Sequence, residues 1–309
     1  MPCALTVGLD GSPASLAAAD WAAGEALLRE VPLRLLHAWN PGPYYASLAG
    51  AVWSQQELEA QREDAELRLD EAASRLARRH PGLRVSAHQY ADDPVQVLLG
   101  AAEDAELLVL GSRGLARLTG FLLGSVALGV VSRTERPVVL VRGDERSGER
   151  SEGTHPLAEE EVISPGIRGG SIVLGLDLDN PHDAVLEFAF EEALRRAALL
   201  RVVHGWSLPP SFGYGGILET GANAEVAARV RRMMTEVLRT WQEKFPDVTV
   251  RTGTAVGGAG PALADASRDA ALVVVGRRIR KSPLGSHIGP VTHAALHHAG
   301  APVAVVPHH

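Results

Sequence analysis

Four segments of the 309-residue chain recur in the same order at a nearly constant spacing. Ala4-Leu-Thr-Val-Gly-Leu-Asp10 returns as Ile172-Val-Leu-Gly-Leu-Asp177, and Leu33-Arg-Leu-Leu-His-Ala-Trp39 as Leu200-Arg-Val-Val-His-Gly-Trp206, both 167 residues further on. Asp104-Ala-Glu-Leu-Leu-Val-Leu-Gly111 returns as Asp269-Ala-Ala-Leu-Val-Val-Val-Gly276, and Arg136-Pro-Val-Val-Leu-Val141 as Ala301-Pro-Val-Ala-Val-Val306, both 165 residues further on. A period this long exceeds the ~20–50 residues of solenoid repeats, so the duplicated unit is a whole domain. Residues 1–142 and 170–309 form the two copies, each long enough to bury its own core. Residues 143–169 are rich in Gly, Ser, Glu and Arg, lack an apolar period, and read as a flexible linker.

Within the first copy, Leu5–Leu9 reads as a buried strand. Ser12 as N-cap and Pro13 at the first helical position open a helix that runs to Arg29. Leu33–Ala38 reads as a second strand, and Ser54–Arg79 as a long charged helix stopped by His80-Pro-Gly82. Arg84–Gln89 reads as a third strand. Asp93-Pro94 opens a helix to about Glu103, Leu107–Leu110 is a fourth strand, Ser125–Thr134 a helix and Val138–Val141 a fifth strand. Strands that alternate with helices and are apolar throughout imply a parallel sheet covered on both faces. Right-handed crossovers make that sheet doubly wound. The expected fold is α/β: two tandem, doubly wound, five-stranded parallel-sheet domains, Rossmann-like, with strand order 3-2-1-4-5. Ligands bind such sheets at the carboxyl ends of the strands, at the switch point.

The end of the fourth strand carries the candidate chemistry. Gly111-Ser-Arg-Gly114 follows it at once, and Gly124-Ser125 comes nine residues later at the start of a helix, giving the pattern G-x2-G-x9-G-S. Gly111 and Gly114 are expected to turn the chain with unusual φ values and to let backbone approach a ligand. Gly124 and Ser125 offer free amides and a hydroxyl at a helix N-terminus, an anion site by geometry and dipole. By itself a glycine-rich turn is as often only a turn. Here it follows a buried strand, opens a helix and recurs in the second copy.

With Val7-Gly-Leu-Asp-Gly-Ser12, Leu107-Leu-Val-Leu-Gly-Ser-Arg-Gly114, Gly124-Ser125 and Pro137-Val-Val-Leu-Val141, the chain resembles a tandem universal stress protein over both halves. In that family the glycine pattern marks the members that bind ATP. The resemblance implies that Gly111, Gly114, Gly124 and Ser125 line the phosphates, that Asp10 contacts the adenosine part and that Ala38 lies against the adenine. Gly11, Arg113 and Val126 complete the candidate set. ATP, with Mg²⁺, is the implied ligand. Association of the two domains through their last strands, and homodimerisation, are also implied.

The second copy departs from this pattern. Gly276 and Gly289 survive, but Ile279 replaces Gly114 and Pro290 replaces Ser125. Ile279 resists positive φ and Pro290 has no amide hydrogen. Leu178-Asp179 replaces Gly11-Ser12 and adds a carboxylate at the mouth. The expectation is a weaker second site at Asp177, Gly276, Arg277 and Gly289. Arg277, Arg278, Arg280 and Lys281 read either as a phosphate clamp or as a solvated loop.

Other signals are weaker. His287-Ile-Gly-Pro290 resembles the start of a nucleotidyl-transferase signature but follows the fourth strand of its domain, not the first. His293 and His297 stand four apart on a helix, where they read as metal ligands or as surface histidines. His37 and His204 read as bases or, because both copies keep them, as structural residues. Tyr44, Tyr45 and Trp53 either cover the ligand or cover the core. Loops of the G-x4-G-K-[ST] or serine-elbow type are absent, and no catalytic residue is assigned.

The formal net charge of −7 argues against general nucleic-acid affinity. A single cysteine, Cys3, excludes an intramolecular disulfide and fits a reducing compartment. The start lacks a signal-peptide pattern, and the apolar stretch from Gly120 to Val131 is about half a membrane span. The expectation is a cytoplasmic, ATP-binding, stress-response regulator acting through nucleotide-dependent conformation or partner binding. The alternatives are a slow ATPase or phosphoryl-transfer enzyme on the same scaffold, and a nucleotide-free dimerising module.

Overall fold

The computed structural model describes residues 4–39, 55–112, 124–143, 170–206, 220–256, 258–280 and 288–309. The linker beyond Gly143, Arg113, Gly114, Tyr44, Tyr45, Trp53, Lys281 and His287 lie outside the described residues. The chain divides into two compact units.

The first unit runs β1 (Ala4–Gly8), α1 (Pro13–Arg29), β2 (Leu33–Trp39), α2 (Gln55–Arg79), β3 (Val85–Ala91), α3 (Pro94–Glu103), β4 (Ala105–Ser112), α4 (Ser125–Arg133) and β5 (Val138–Arg142). β1 pairs in parallel with β2 and β4, β2 with β3, and β4 with β5. The order is therefore 3-2-1-4-5, as expected from the alternation of elements. The switch point falls between β1 and β4, whose crossovers leave on opposite faces.

Leu5, Val7, Leu107, Leu108, Val109, Val138 and Val139 are fully buried, which accounts for the unbroken apolar runs in β1, β4 and β5. β3 departs from the expectation of strands apolar throughout. It alternates between half-buried and exposed residues, with Ser86 and His88 exposed, because an edge strand need turn only one face to the core.

α1 begins as its sequence dictates, with Pro13 in the first turn and the Ser12 side chain accepting from the Ser15 amide. It ends at Glu30, which takes a left-handed conformation at φ 56°. Its buried face is almost all alanine, with Ala18, Ala19, Ala22, Ala23 and Ala26 at 0% exposure. So small a face lets the helix backbone lie close on β4. Glu25, on the same helix, is buried and is held by Arg29 at 2.5 Å.

The second unit repeats the plan with β6 (Ser171–Gly175), α5 (Asp183–Arg195), β7 (Leu200–Trp206), α6 (Thr220–Lys244), β8 (Val250–Val256), α7 (Ala259–Ala266), β9 (Ala270–Arg278), α8 (Pro290–His298) and β10 (Val303–His308). Its parallel pairings give the order 8-7-6-9-10, the same topology. The buried acid is repeated as well: Glu192 is held by Arg195 at 2.7 Å and by Arg196. Among the described residues, no helix is long and apolar enough to cross a membrane.

Candidate functional site

A cavity of about 290 Å³ opens at the switch point of the first unit, near the low end of the ~300–1,000 Å³ typical of small-molecule sites. β1 and the turn after it supply Gly8, Leu9 and Asp10, while β2 supplies Leu36 and Ala38. Leu110 and Gly111 come from β4, Pro94 and Leu98 from α3, and Gly124 to Ala127 from the start of α4. Six of the expected residues therefore meet in one cavity: Asp10, Ala38, Gly111, Gly124, Ser125 and Val126. Gly8, Leu36, Pro94, Leu98 and Ala127 were not foreseen. Gly8 and Pro94 stand at the ends of β1 and α3, and the other three show only the spacing of core residues.

Two helix N-termini face this cavity, and they differ. At α3 the Asp93 carboxylate accepts from the amides of Val95 and Gln96, both at 3.0 Å, so that terminus is already capped by an anion. At α4 the N-cap is Gly124, which has no side chain to cap with. The first intrahelical bond is donated by Leu128 to the Gly124 carbonyl, at 2.9 Å. The amides of Ser125, Val126 and Ala127 precede that bond and belong to residues lining the cavity. An anion is thus directed to α4, where amides and helix dipole act together.

Opposite α4 stands Asp10. Its carboxylate accepts from the Ser12 amide at 2.9 Å, and its own amide donates to Ser15 Oγ at 3.3 Å. The turn is thereby fixed against the first turn of α1, while the Asp10 side chain stays exposed. Asp10 is the single ionisable residue lining the cavity among the described residues. His37 lies outside it. Strand alternation turns Ala38 into the cavity and His37 and Trp39 to the other face of the sheet. His37 Nδ1 lies 2.7 Å from the Leu9 carbonyl, which can only accept, so the ring donates and pins the turn after β1 to the end of β2. His204 does the same to the Leu176 carbonyl at 2.9 Å. Both histidines therefore have the structural role.

Gly111 needs a corrected explanation. Its φ is not positive. A Cβ there would lie 2.6 Å from the Ala14 carbonyl carbon and the Ser15 amide nitrogen, and 2.7 Å from the Ala14 carbonyl oxygen. The glycine is required by the close approach of α1 on the far face of the sheet, not by a turn. Gly124 differs: a Cβ there would meet no described residue within 4 Å.

A larger cavity of about 470 Å³ lies on the α1–α2 side and shares only Leu9 and Asp10 with the first. Gly11, expected at the nucleotide, lines this second cavity instead, at φ 78°. Its wall is mixed in charge, with the carboxylates of Asp10, Asp64 and Glu71 beside the guanidiniums of Arg68 and Arg75, and no uncapped helix start is among its described lining residues. A polyanion is better served by the smaller cavity.

The second unit keeps the frame and has less room beside the end of β7. Asp177 accepts from the Asp179 amide at 3.1 Å, repeating the turn at Asp10. Gly205 stands in the place of Ala38, and a Cβ there would overlap the backbone of Gly258 and Ala259. The start of α7 has closed onto the end of β7, helped by Gly258 at φ 104°. At the other end Thr292, in the place of Ala127, donates its hydroxyl to the Gly276 carbonyl at 2.7 Å. β9 runs on to Arg278, and the Ile279 amide donates to the His308 carbonyl at 2.6 Å, so the residue in the place of Gly114 is tied to the end of the last strand. Gly289 is again an N-cap without a side-chain cap, but Pro290 follows it in the first turn. Arg277 is 3% exposed and so buried in the sheet end, unlike a phosphate clamp on a solvated loop; Arg278 is exposed.

A family model for universal stress proteins matches residues 4–142 and again residues 170–307. The chain belongs to the universal stress protein family. Universal stress proteins Rv2005c and Rv2623 of Mycobacterium tuberculosis are 30% and 31% identical to it, each over 97% of this chain and over 96% and 95% of their own lengths. A universal stress protein of Mycolicibacterium smegmatis is 31% identical over 98% of this chain and 96% of its own. The crystal structure of a universal stress protein from Archaeoglobus fulgidus matches with a TM-score of 0.68 over 98% of both chains at 20% identity, a likeness of fold. These universal stress proteins are as long as this chain and share its tandem plan.

Proposed function

We propose that the chain binds one ATP, with Mg²⁺, in the cavity of its first unit, and that binding rather than turnover is its output. The observation that carries this reading is the uncapped N-terminus of α4 opening onto the same cavity as Asp10 and Ala38. The small Ala38 leaves room for a flat base beside β2. The amides of Ser125, Val126 and Ala127 fit the phosphates, each contact with a charged acceptor contributing ~1.5–3 kcal/mol. Mg²⁺ would accompany the phosphates, with Asp10 the one carboxylate among the described lining residues.

Regulation fits these groups better than hydrolysis. Phosphoryl transfer needs a residue that orients the attacking water or takes its proton, and Asp10, the one ionisable residue among the described lining residues, serves to hold the turn after β1 by accepting from the Ser12 amide. A bound nucleotide would instead couple α4 to the turn after β1, shifting the population of conformations shown to a partner in the stress response. The test is to denature the purified full-length chain and separate what it releases by chromatography. Release of an adenine nucleotide supports the reading. A nucleotide-free protein that also shows no melting shift in millimolar Mg-ATP would contradict it.

A further inference from the structure

α8, in the second unit, carries three of the chain's 12 histidines in nine residues and no Asp, Glu, Lys or Arg. His293 is exposed and His297 half-buried. Four residues apart, they share one face of the helix, and their ring centroids stand 4.2 Å apart with the planes tilted by 34°. A metal–nitrogen bond of about 2.1 Å plus the half-width of an imidazole puts the centroids of two cis ligands about 4.5 Å apart. The centroid spacing of the pair is within a few tenths of an ångström of that value.

We propose that His293 and His297 form a two-imidazole chelate for a divalent transition-metal ion, completed by water. An imidazole coordinates through one nitrogen and keeps the other for a hydrogen bond, so a ring can bind metal without giving up its protein contact. Two neutral nitrogens with no thiolate suit Cu²⁺, Ni²⁺ or Zn²⁺, with Cu²⁺ held tightest by the general order of divalent affinities. Arg268, whose backbone lies against Gly300 just past α8, is already ion-paired with Asp265 at 3.0 Å. His298 stands about 100° further round the helix, its ring 6.4 Å from that of His297, and falls outside the chelate. The second close pair in this unit, His182 with His308 at 4.5 Å, has Arg277 and Arg278 acting on His308, and their charges oppose a cation there.

The test is a Cu²⁺ titration of the full-length chain in a Cys3→Ser background, which removes the competing thiol, followed by calorimetry and electron paramagnetic resonance. One Cu²⁺ per chain with two coordinated nitrogens is the expected result. His293→Ala and His297→Ala should each weaken binding at least tenfold and remove one nitrogen from the spectrum. His298→Ala and His308→Ala should leave both readouts unchanged. Should His297→Ala fail to fold, the exposed His293→Ala variant decides alone. Unchanged binding in His293→Ala, or binding that tracks His298 or His308, would overturn the proposal.

Discussion

Gly111 and Gly124 belong to one sequence pattern, yet they should respond in opposite ways to the same small change. In Gly111→Ala the new methyl meets three backbone atoms of Ala14 and Ser15 at 2.6–2.7 Å, where ordinary contact begins near 3.4 Å. Backbone cannot rotate away as a side chain can, so the first turn of α1 must retreat by about 0.8 Å. Ala14 and Ala18, at 6% and 0% exposure, leave that helix no slack. Overpacking of this kind costs ~1–3 kcal/mol, or about 2–12 °C at ~2–4 °C per kcal/mol for a domain of this size. The displaced turn also carries Ser15, which receives the Asp10 amide, so nucleotide affinity should fall as well. In Gly124→Ala the methyl meets no described residue within 4 Å, and the N-cap φ of −58° suits any residue. The weaker capping of alanine should cost below ~1 kcal/mol, partly offset by lost freedom in the unfolded chain. Differential scanning calorimetry of the two full-length variants measures the contrast. A Gly111→Ala protein that melts within a degree of wild type, or a Gly124→Ala protein destabilised as much, would refute this division of labour.

Three further predictions concern other residues. Gly205→Ala should destabilise the second unit by more than ~3 kcal/mol, because its methyl overlaps the backbone of Ala259; urea unfolding followed by the tryptophans of that unit checks it. Asp10→Ala should weaken nucleotide binding about tenfold, through loss of a contact worth about 1.4 kcal/mol, while Asp10→Asn, which can still accept from the Ser12 amide, should lose less; equal losses would show that charge alone matters. Burial first, and then the charges of His182, Arg278 and Arg277, hold His308 below the ordinary histidine range, against a raising hydrogen bond to His309. The unfolded chain then takes up a proton that the folded one resists, so stability is fully present above about pH 6.5 and falls as the pH drops below it. Unfolding midpoints between pH 5 and 8 should show this slope in wild type and a flatter one in His308→Gln.

The four repeated segments mark eight of the ten strands, because buried parallel strands must be apolar on both faces and so print a continuous run. β3 and β8 fall outside the repeats, since an edge strand obeys a looser pattern. The position of the cavity followed from the doubly wound order, and the uncapped start of α4 from Gly124. What stayed hidden depends on contacts across the sheet. That Gly111 answers to α1 is invisible along β4. The placement of Gly11 on the other face follows from the direction in which the turn leaves β1. The narrowing of the second site depends on Gly258 and Ala259, far from the altered motif, and on Thr292 two residues past Pro290, whereas Ile279 and Pro290 alone point only to weakening.

Calorimetric stoichiometry on the full-length chain tests the central claim most directly. Wild type should bind one Mg-ATP. Gly124→Val, whose side chain stands beside the α4 amides and meets no described residue at its Cβ, should bind at least tenfold more weakly, as loss of one or two phosphate contacts at ~1.5–3 kcal/mol each requires. Its melting temperature should stay close to that of wild type. Two equal sites per chain, or a Gly124→Val protein that still binds one ATP with wild-type affinity, would contradict the account.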